Sequence, residues 1–574
     1  HLFVNQLREM VLNYGSHPAI ILWSTCNESL YGKNMQASYD FVHAQDPTRP
    51  VIASYQVVED PEHKSYDVKS SHYPRWDRDY EVTTMPTIYD EWMHVLGHTA
   101  QEWRHDPNSR DYWGRSLDEA WSRLFPANGS VGAAIWNFVD DMTIQTDPTQ
   151  KSARGATRRM NPETAKLVVT GNPSNITGTA RWGIIDEWRR PKPEFWNVKK
   201  AYSPARLLKT AVRDADPAAP ISLPIHNRYD HTSLDEITLV MSYEGKTVRL
   251  PCPSIPPHQK GAIELPAADW KAGTTVDLSF VDAAGRLVDR YVITLGEVAD
   301  PVAPAVSRTP EVTEEDGKIL VQGDAFCFVV NRESGLIQRI EHDAEVMKLT
   351  GPLPHIVKLE EYLYEGVNPA IGAGLKTVMP KTVSYDSPLF KAWKKTSIRI
   401  EEKDQSVEIH VAGRLDAMEV TYIYILGANG RFDIAYHFDK IPPLVVENKK
   451  RDRGGPLNLE VGIKFLASDQ FDRSSWDKQA YWSTYPEGHI GRSTGSIALF
   501  TTDKPEWAQK PDTPWAQDVW DFYFMGWGVP GGKLLTYEAY AAKQAIRTYT
   551  LEDTNASMAL TVYGDGKTTT ARFG

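Results

Sequence analysis

With 574 residues the chain is too long for one core, and two to four domains are expected. A formal net charge of −12, with both signs mixed throughout, argues against the basic face of a nucleic-acid binder. The three cysteines, Cys26, Cys252 and Cys327, lie far apart without ligand spacing, which argues against a disulfide framework or a zinc site, and no run of 18 apolar residues is present to span a membrane.

The chain opens at His1 inside a helical pattern of Phe3, Val4, Leu7, Met10 and Val11. It reads as a fragment of a longer, soluble bacterial protein whose compartment, cytoplasm or periplasm, stays open. Next comes AIILWSTCNE, Ala19 to Glu28. The run Ile20, Ile21, Leu22 and Trp23 suits a strand covered on both faces, as in a parallel sheet walled by helices, and it leads to Asn27 and Glu28. A helix is expected near Met35 to Gln45, then a short strand after Pro50, then the strand-like DVKSSHYP. Met85 to Glu91, MPTIYDE, is a second short apolar segment ending in glutamate, followed by the helix-like WMHVLGH. A long polar excursion runs from Thr99 to Asp118. VGAAIWNFVDD reads as another apolar strand, and a helix is expected to begin after Pro193. Strands alternating with helices across residues 1–203 are the sign of α/β architecture.

Beyond residue 203 the period changes. Residues 204–300 carry the alternating stretches ISLPIHNRYD, EITLVMSY, VRLPCP, TVDLSFVD and RYVITLG between Gly, Pro and Asp turns, which predicts a small β-sandwich. EVADPVAPAVS, residues 297–307, reads as a linker. Residues 301–574 hold many further strand-like pieces, among them KILVQGDAFCFVVN, VEIHVAG, VTYIYIL and FDIAYHF, and predict a large all-β module.

Two glutamates at the C-terminal ends of buried parallel strands form a candidate carboxylate pair, because α/β barrels keep their chemistry at that face. The residues around them are more specific. HPAIILWSTCNES resembles the acid/base segment of glycoside hydrolase family 2, the retaining exo-β-glycosidases that include the large bacterial β-galactosidases. TIYDEWMHVLGH is similar to the nucleophile segment of the same family. The resemblance implies a multidomain α/β plus all-β chain. Residues 1–203 would be the C-terminal part of a TIM (β/α)8 barrel, strands four to eight, without the preceding jelly roll and first three barrel strands. Residues 204–300, through NRYDHTSLDE, would be an immunoglobulin-like β-sandwich. Residues 301–574, through GDAFCFVVNRESGLIQRI and AAKQAIRTYTL, would be a truncated β-galactosidase-type super-sandwich.

By the same resemblance Glu28 is the general acid/base and Glu91, 63 positions further on, the nucleophile of a double displacement. Two neighbouring carboxylates cannot both stay charged at low cost, so the raised pKa is expected on Glu28 while Glu91 stays ionised. The resemblance also implies that Asn27 bonds the sugar 2-hydroxyl, Tyr73 orients the nucleophile, His94 contacts the sugar and Trp136 floors the site. Arg75, on the loop after Tyr73, is a candidate for recognising a uronate or sulfate. No cofactor is required by the sequence itself; the family implies Mg²⁺, sharing Glu28 with ligands on strands the chain lacks, and Na⁺. The expected activity is hydrolysis of terminal non-reducing β-D-galactosyl residues. The expected partner is an oligosaccharide or polysaccharide, with no nucleic acid and no membrane, and a homo-oligomer is in keeping with the family. Two alternatives stay open: a same-family hydrolase for a uronate or modified galactose of an algal or plant polysaccharide, and an inactive carbohydrate-binding fragment. GNPSNITG lacks the Asn-x-Lys of the family's glucuronidases, which counts against that sugar.

Overall fold

The computed structural model describes residues 2–55, 65–74, 78–93, 109–144, 176–180, 183–186, 188–212, 219–268, 270–296, 302–305, 308–343, 345–359, 392–440, 458–467, 470–480, 485, 492–498, 545–567 and 569. Five short parallel strands organise the first part: β1 (Trp23–Asn27), β2 (Val51–Ser54), β3 (Lys69–His72), β4 (Thr87–Trp92) and β5 (Ser130–Ile135). β1 pairs with β2, and β3 with β4 and β4 with β5, all parallel; a parallel bridge from Ile52 to Val68 joins the two groups into one arc in chain order. Helices α1 (Leu2–Tyr14), α2 (Lys33–Gln45), α3 (Ser109–Leu124) and α4 (Pro193–Ala201) accompany the strands. A strand–helix alternation with parallel pairing is what a barrel segment requires.

Two apolar clusters sit behind the arc. One joins Leu7 and Val11 of α1 to Trp23, Val42 and Val51. The other joins Tyr89 and Trp92 of β4 to Trp113, Leu117, Ala120 and Leu124 of α3 and Ala201 of α4. The second cluster corrects the expected polar excursion, whose last part, from Ser109, is helix. Trp113, Leu117, Ala120 and Leu124 fall three or four residues apart and make one buried stripe, which the surrounding charged residues hide in the linear sequence.

The expected AIILW strand is also displaced. The strand begins only at Trp23, and Ile21 is 74% exposed. Arg49 explains the delay: its guanidinium donates to the carbonyl oxygens of Ile20 (2.7 Å) and His17 (3.2 Å), so Ile20 spends its acceptor on a side chain rather than on a ladder. Arg49 is in turn paired with Asp46, which also accepts from Trp23 Nε1 at 2.9 Å. Bonds from Thr48, then Trp23 and Arg49, hold the Asp46 carboxyl well below the usual range. This clip fixes the start of β1 and hence the place where Glu28 emerges.

Residues 205–295 fold as two antiparallel-dominated sheets over one core. The smaller carries strands 205–207, 221–227 and 260–265. The larger carries 238–243, 246–251, 275–281 and 287–295, with 211–212 added in parallel at its edge. Inward positions alternate, as in Ile221, Leu223 and Ile225 or Val276, Leu278 and Phe280, and all are buried. The expected strands are present; Lys260–Leu265 and the short strands at 205–207 and 211–212 are additional. From residue 311 onward the described strands form one six-stranded and two four-stranded sheets, with Ile319, Phe328, Ile337, Ile409, Tyr422 and Tyr424 in a common core. Among the described residues no helix is long and apolar enough to cross a membrane.

The arc is fastened to the two-sheet unit by buried polar contacts. Lys200 of α4 pairs with Asp289 and donates to the carbonyl of Arg290 (2.7 Å), and Arg206 meets Asp118 of α3 at 2.8 Å. Burial pulls the Lys200 ammonium pKa down, against the opposing pull of Asp289.

Candidate active site

The C-terminal ends of the parallel strands share one backbone device. Glu28, Tyr55, Tyr73 and Met93 each directly follow β1, β2, β3 and β4, and each has φ between 43° and 48°. No glycine stands at these four positions, although the left-handed region costs an ordinary residue of order 1–3 kcal/mol. The rim is held by backbone bonds: Glu28 N–H to Ser54 O, Tyr73 N–H to Glu91 O and Trp136 N–H to Trp92 O, each 2.9 Å. At Glu28, Tyr55 and Tyr73 the turn leaves the side chain beside His72 at the strand ends, whereas Met93 packs back into the apolar cluster behind β4.

Glu28, at its turn, and Glu91, the penultimate residue of β4, come together. One carboxylate oxygen of each, with a ring nitrogen of His72, all lie within 4.8 Å of one another. The His72 side chain is 2% exposed, and its Nδ1 is 3.4 Å from Glu28 Oε1 and 3.3 Å from Glu91 Oε2. Tyr73 donates its hydroxyl to the other Glu91 oxygen, Oε1. Asn27 accepts at Oδ1 from Ser54 Oγ (3.1 Å), and Ser54 Oγ is also 2.9 Å from His72 Nε2. The Tyr55 ring stacks on His72 with centroids 4.8 Å apart. β3 itself is set from behind by Asp67, which takes Val51 N–H (2.8 Å), the Tyr39 hydroxyl (2.6 Å) and His43 Nε2 (2.9 Å).

The two carboxylates differ in environment. The Glu28 side chain is 57% exposed and that of Glu91 13%. The raised pKa falls on Glu91: burial pushes it up, His72 opposes, and the charge of Glu28 adds to it. The sequence expectation places the raised pKa on Glu28; the rise on Glu91 is not foreseen there and comes from desolvation of this deeper group.

Of the other expected residues, Asn27 lies on the rim beside Glu28 as the end of β1, and Trp136 is half-buried directly after β5, joined to Asn137 by a cis peptide bond. His94 and Arg75 lie outside the described residues. Among the described residues, the donors gathered at Glu28 are one imidazole and the second carboxylate. Mg²⁺ takes a near-octahedral set of oxygens, so these residues do not by themselves make its site. His72, Ser54 and Tyr55 were not singled out from the sequence. The signal available was SSHYP itself, where Ser70 and His72 stand two apart and so share a face of a strand.

Residues 1–207 match the family described as glycosyl hydrolases family 2, TIM barrel domain. The chain is 22% identical over 548 residues to a β-galactosidase of Kluyveromyces lactis, covering 88% of this chain and 46% of that one. It is 27% identical over 553 residues to a β-galactosidase of Priestia megaterium, covering 89% and 48%. The chain thus spans about half the length of these curated relatives. A crystal structure of a family 2 β-galacturonidase from Eisenbergiella tayi bound to galacturonate shares 22% identity over 35% of this chain and 36% of that one, with a TM-score of 0.23, a superposition too loose to bear on fold or function. On the sequence matches, residues 1–207 carry a glycosyl hydrolase family 2 barrel domain, and the chain as a whole is similar to β-galactosidases.

Proposed function

We propose that the protein is a retaining exo-β-glycosidase that removes terminal non-reducing β-D-galactosyl residues from an oligosaccharide or polysaccharide. The observation that carries this reading is the approach of the Glu28 and Glu91 carboxylates across the barrel mouth. Retaining enzymes keep their two carboxyl groups about 5–5.5 Å apart, whereas inverting ones leave about 6.5–9.5 Å for a water. Glu91, fixed by Tyr73 at one oxygen, attacks the anomeric carbon and forms a glycosyl ester as the aglycone bond breaks. Glu28, the more exposed, gives its proton to the departing oxygen and then takes one from the water that cleaves the ester. In this reading Asn27 bonds the 2-hydroxyl and Trp136 offers an apolar face to the pyranose. His94 and Arg75 are further candidates for sugar contact.

In this reading residues 1–203 are the catalytic barrel portion, 204–300 an immunoglobulin-like sandwich and 301–574 the super-sandwich. The two sheets over one core at 205–295 and the larger sheets after residue 311 support that division.

The test uses the full-length protein and a panel of p-nitrophenyl β-glycosides: galactoside, galacturonide, glucuronide and mannoside. Galactoside is expected to be the best substrate; preference for galacturonide would move the reading to a uronate. Glu91→Gly is expected to lose turnover by about 10⁴-fold or more and to regain part of it with azide, which replaces the missing nucleophile. An unchanged rate in Glu91→Gly removes Glu91 from the reaction.

A further inference from the structure

We propose that His72 is a positioning residue that sets the separation of the two carboxylates, a role that rests on the glycosidase reading above. Glu28 and Glu91 emerge from β1 and β4, with β2 and β3 between them, so their spacing is not fixed by direct strand pairing. His72, the last residue of β3, spans the gap with one ring edge. Its Nδ1 lies almost equally far from Glu28 Oε1 (3.4 Å) and Glu91 Oε2 (3.3 Å).

The opposite edge of the ring is anchored. Ser54 gives its hydroxyl proton to Asn27 Oδ1, so Ser54 Oγ is left to accept from His72 Nε2 at 2.9 Å, and with hydrogen on both ring nitrogens the Nδ1–H faces the two carboxylates. Asp90 Oδ1 stands further off, 3.7 Å from Nε2, and takes the Ser70 hydroxyl. Tyr55 covers one ring face at an interplanar angle of 16°, and the side chain is almost wholly enclosed. The ring therefore cannot turn without breaking the Ser54 contact or displacing Tyr55. Glu91 has Tyr73 as a second holder at Oε1, whereas Glu28 sits more than half exposed at the mouth. Loss of His72 should consequently fall hardest on the step that needs Glu28 in place, protonation of the leaving group.

The experiment measures kcat and KM of the full-length protein on an activated aryl β-galactoside and on one with a poor leaving group, for His72→Ala, His72→Asn and His72→Gln. Misplacing a reacting group by about 1 Å costs about 10²-fold, so His72→Ala is expected to lower kcat by about that factor on the poor leaving group, with a smaller loss on the activated one. KM is expected to change little, because the contact is to the carboxylates rather than to the sugar. Asn puts an amide N–H near the place of Nδ1, and Gln near that of Nε2. His72→Asn is expected to recover most of the lost rate and His72→Gln little of it. Equal rates for the Asn and Gln variants, or an unaffected His72→Ala, overturn the proposal while leaving the glycosidase reading intact. Absence of turnover in the unaltered protein on every aryl glycoside overturns both.

Discussion

The barrel rim and the two-sheet unit at 205–295 use their residues in opposite ways. In the two-sheet unit the strands run with strict alternation, and apolar side chains such as Leu223, Leu278 and Phe280 are fully enclosed. At the rim the strands are four to six residues long and carry polar side chains, Asn27, Ser54, His72 and Glu91, at or one place before their ends; four consecutive strand ends turn through left-handed residues. The first region lowers free energy by removing apolar surface from water. The second gives some of it back through strain and desolvated charge to hold groups where they can react. Stability and chemistry are thus assigned to different stretches of one chain, and variants should separate them.

The widest separation is expected from Glu28→Gln. General acid–base assistance is worth about 10²–10⁴-fold, up to about 5.5 kcal/mol, so kcat/KM for a poor leaving group should fall within that range while the melting temperature holds. An equal loss on activated and poor leaving groups would deny Glu28 the acid role. The converse is Phe280→Ala, where removal of a fully enclosed ring should cost about 3–5 kcal/mol in denaturant unfolding and leave kcat/KM of the folded fraction unchanged. A large kinetic effect there would show that the two regions are not separable.

The finest test follows the pH dependence of Glu91. Its pKa is raised in the fold, first by burial, so the folded state favours the protonated carboxyl. The stability this contributes is complete below the ordinary glutamate pKa and is lost as pH rises through the raised value. Glu91→Gln has no such loss. Its melting temperature relative to the unaltered protein should therefore climb across that interval and level off above it; a constant difference at all pH values would mean that Glu91 is not perturbed. The same shift should start the acid limb of kcat/KM above the usual carboxylate range, since the nucleophile must be ionised.

Much of this was legible in the sequence because it depends on short-range pattern. The two-residue period of TVDLSFVD and the five barrel-type segments each state their own element, and Glu28 and Glu91 mark the strand ends without reference to anything distant. What was not legible depends on partners. The run AIILW gives no hint that Arg49, almost thirty residues later, takes the Ile20 carbonyl and postpones the strand. The strand 205–207 is three residues long and is defined by its neighbour, 221–227, rather than by its own period. His72 stood beside Tyr73 in plain view, but its importance comes from Glu28, Ser54, Tyr55 and Glu91, which arrive from three other strands.

The run of ordinary residues at positive φ along the rim also biases how this protein can change. At Tyr55 a glycine would relax the backbone and favour a higher melting point, yet it would strip away the ring that covers His72. Selection for heat resistance alone would therefore drift toward a quieter, emptier mouth. Keeping the side chains in place requires that turnover be selected at the same time.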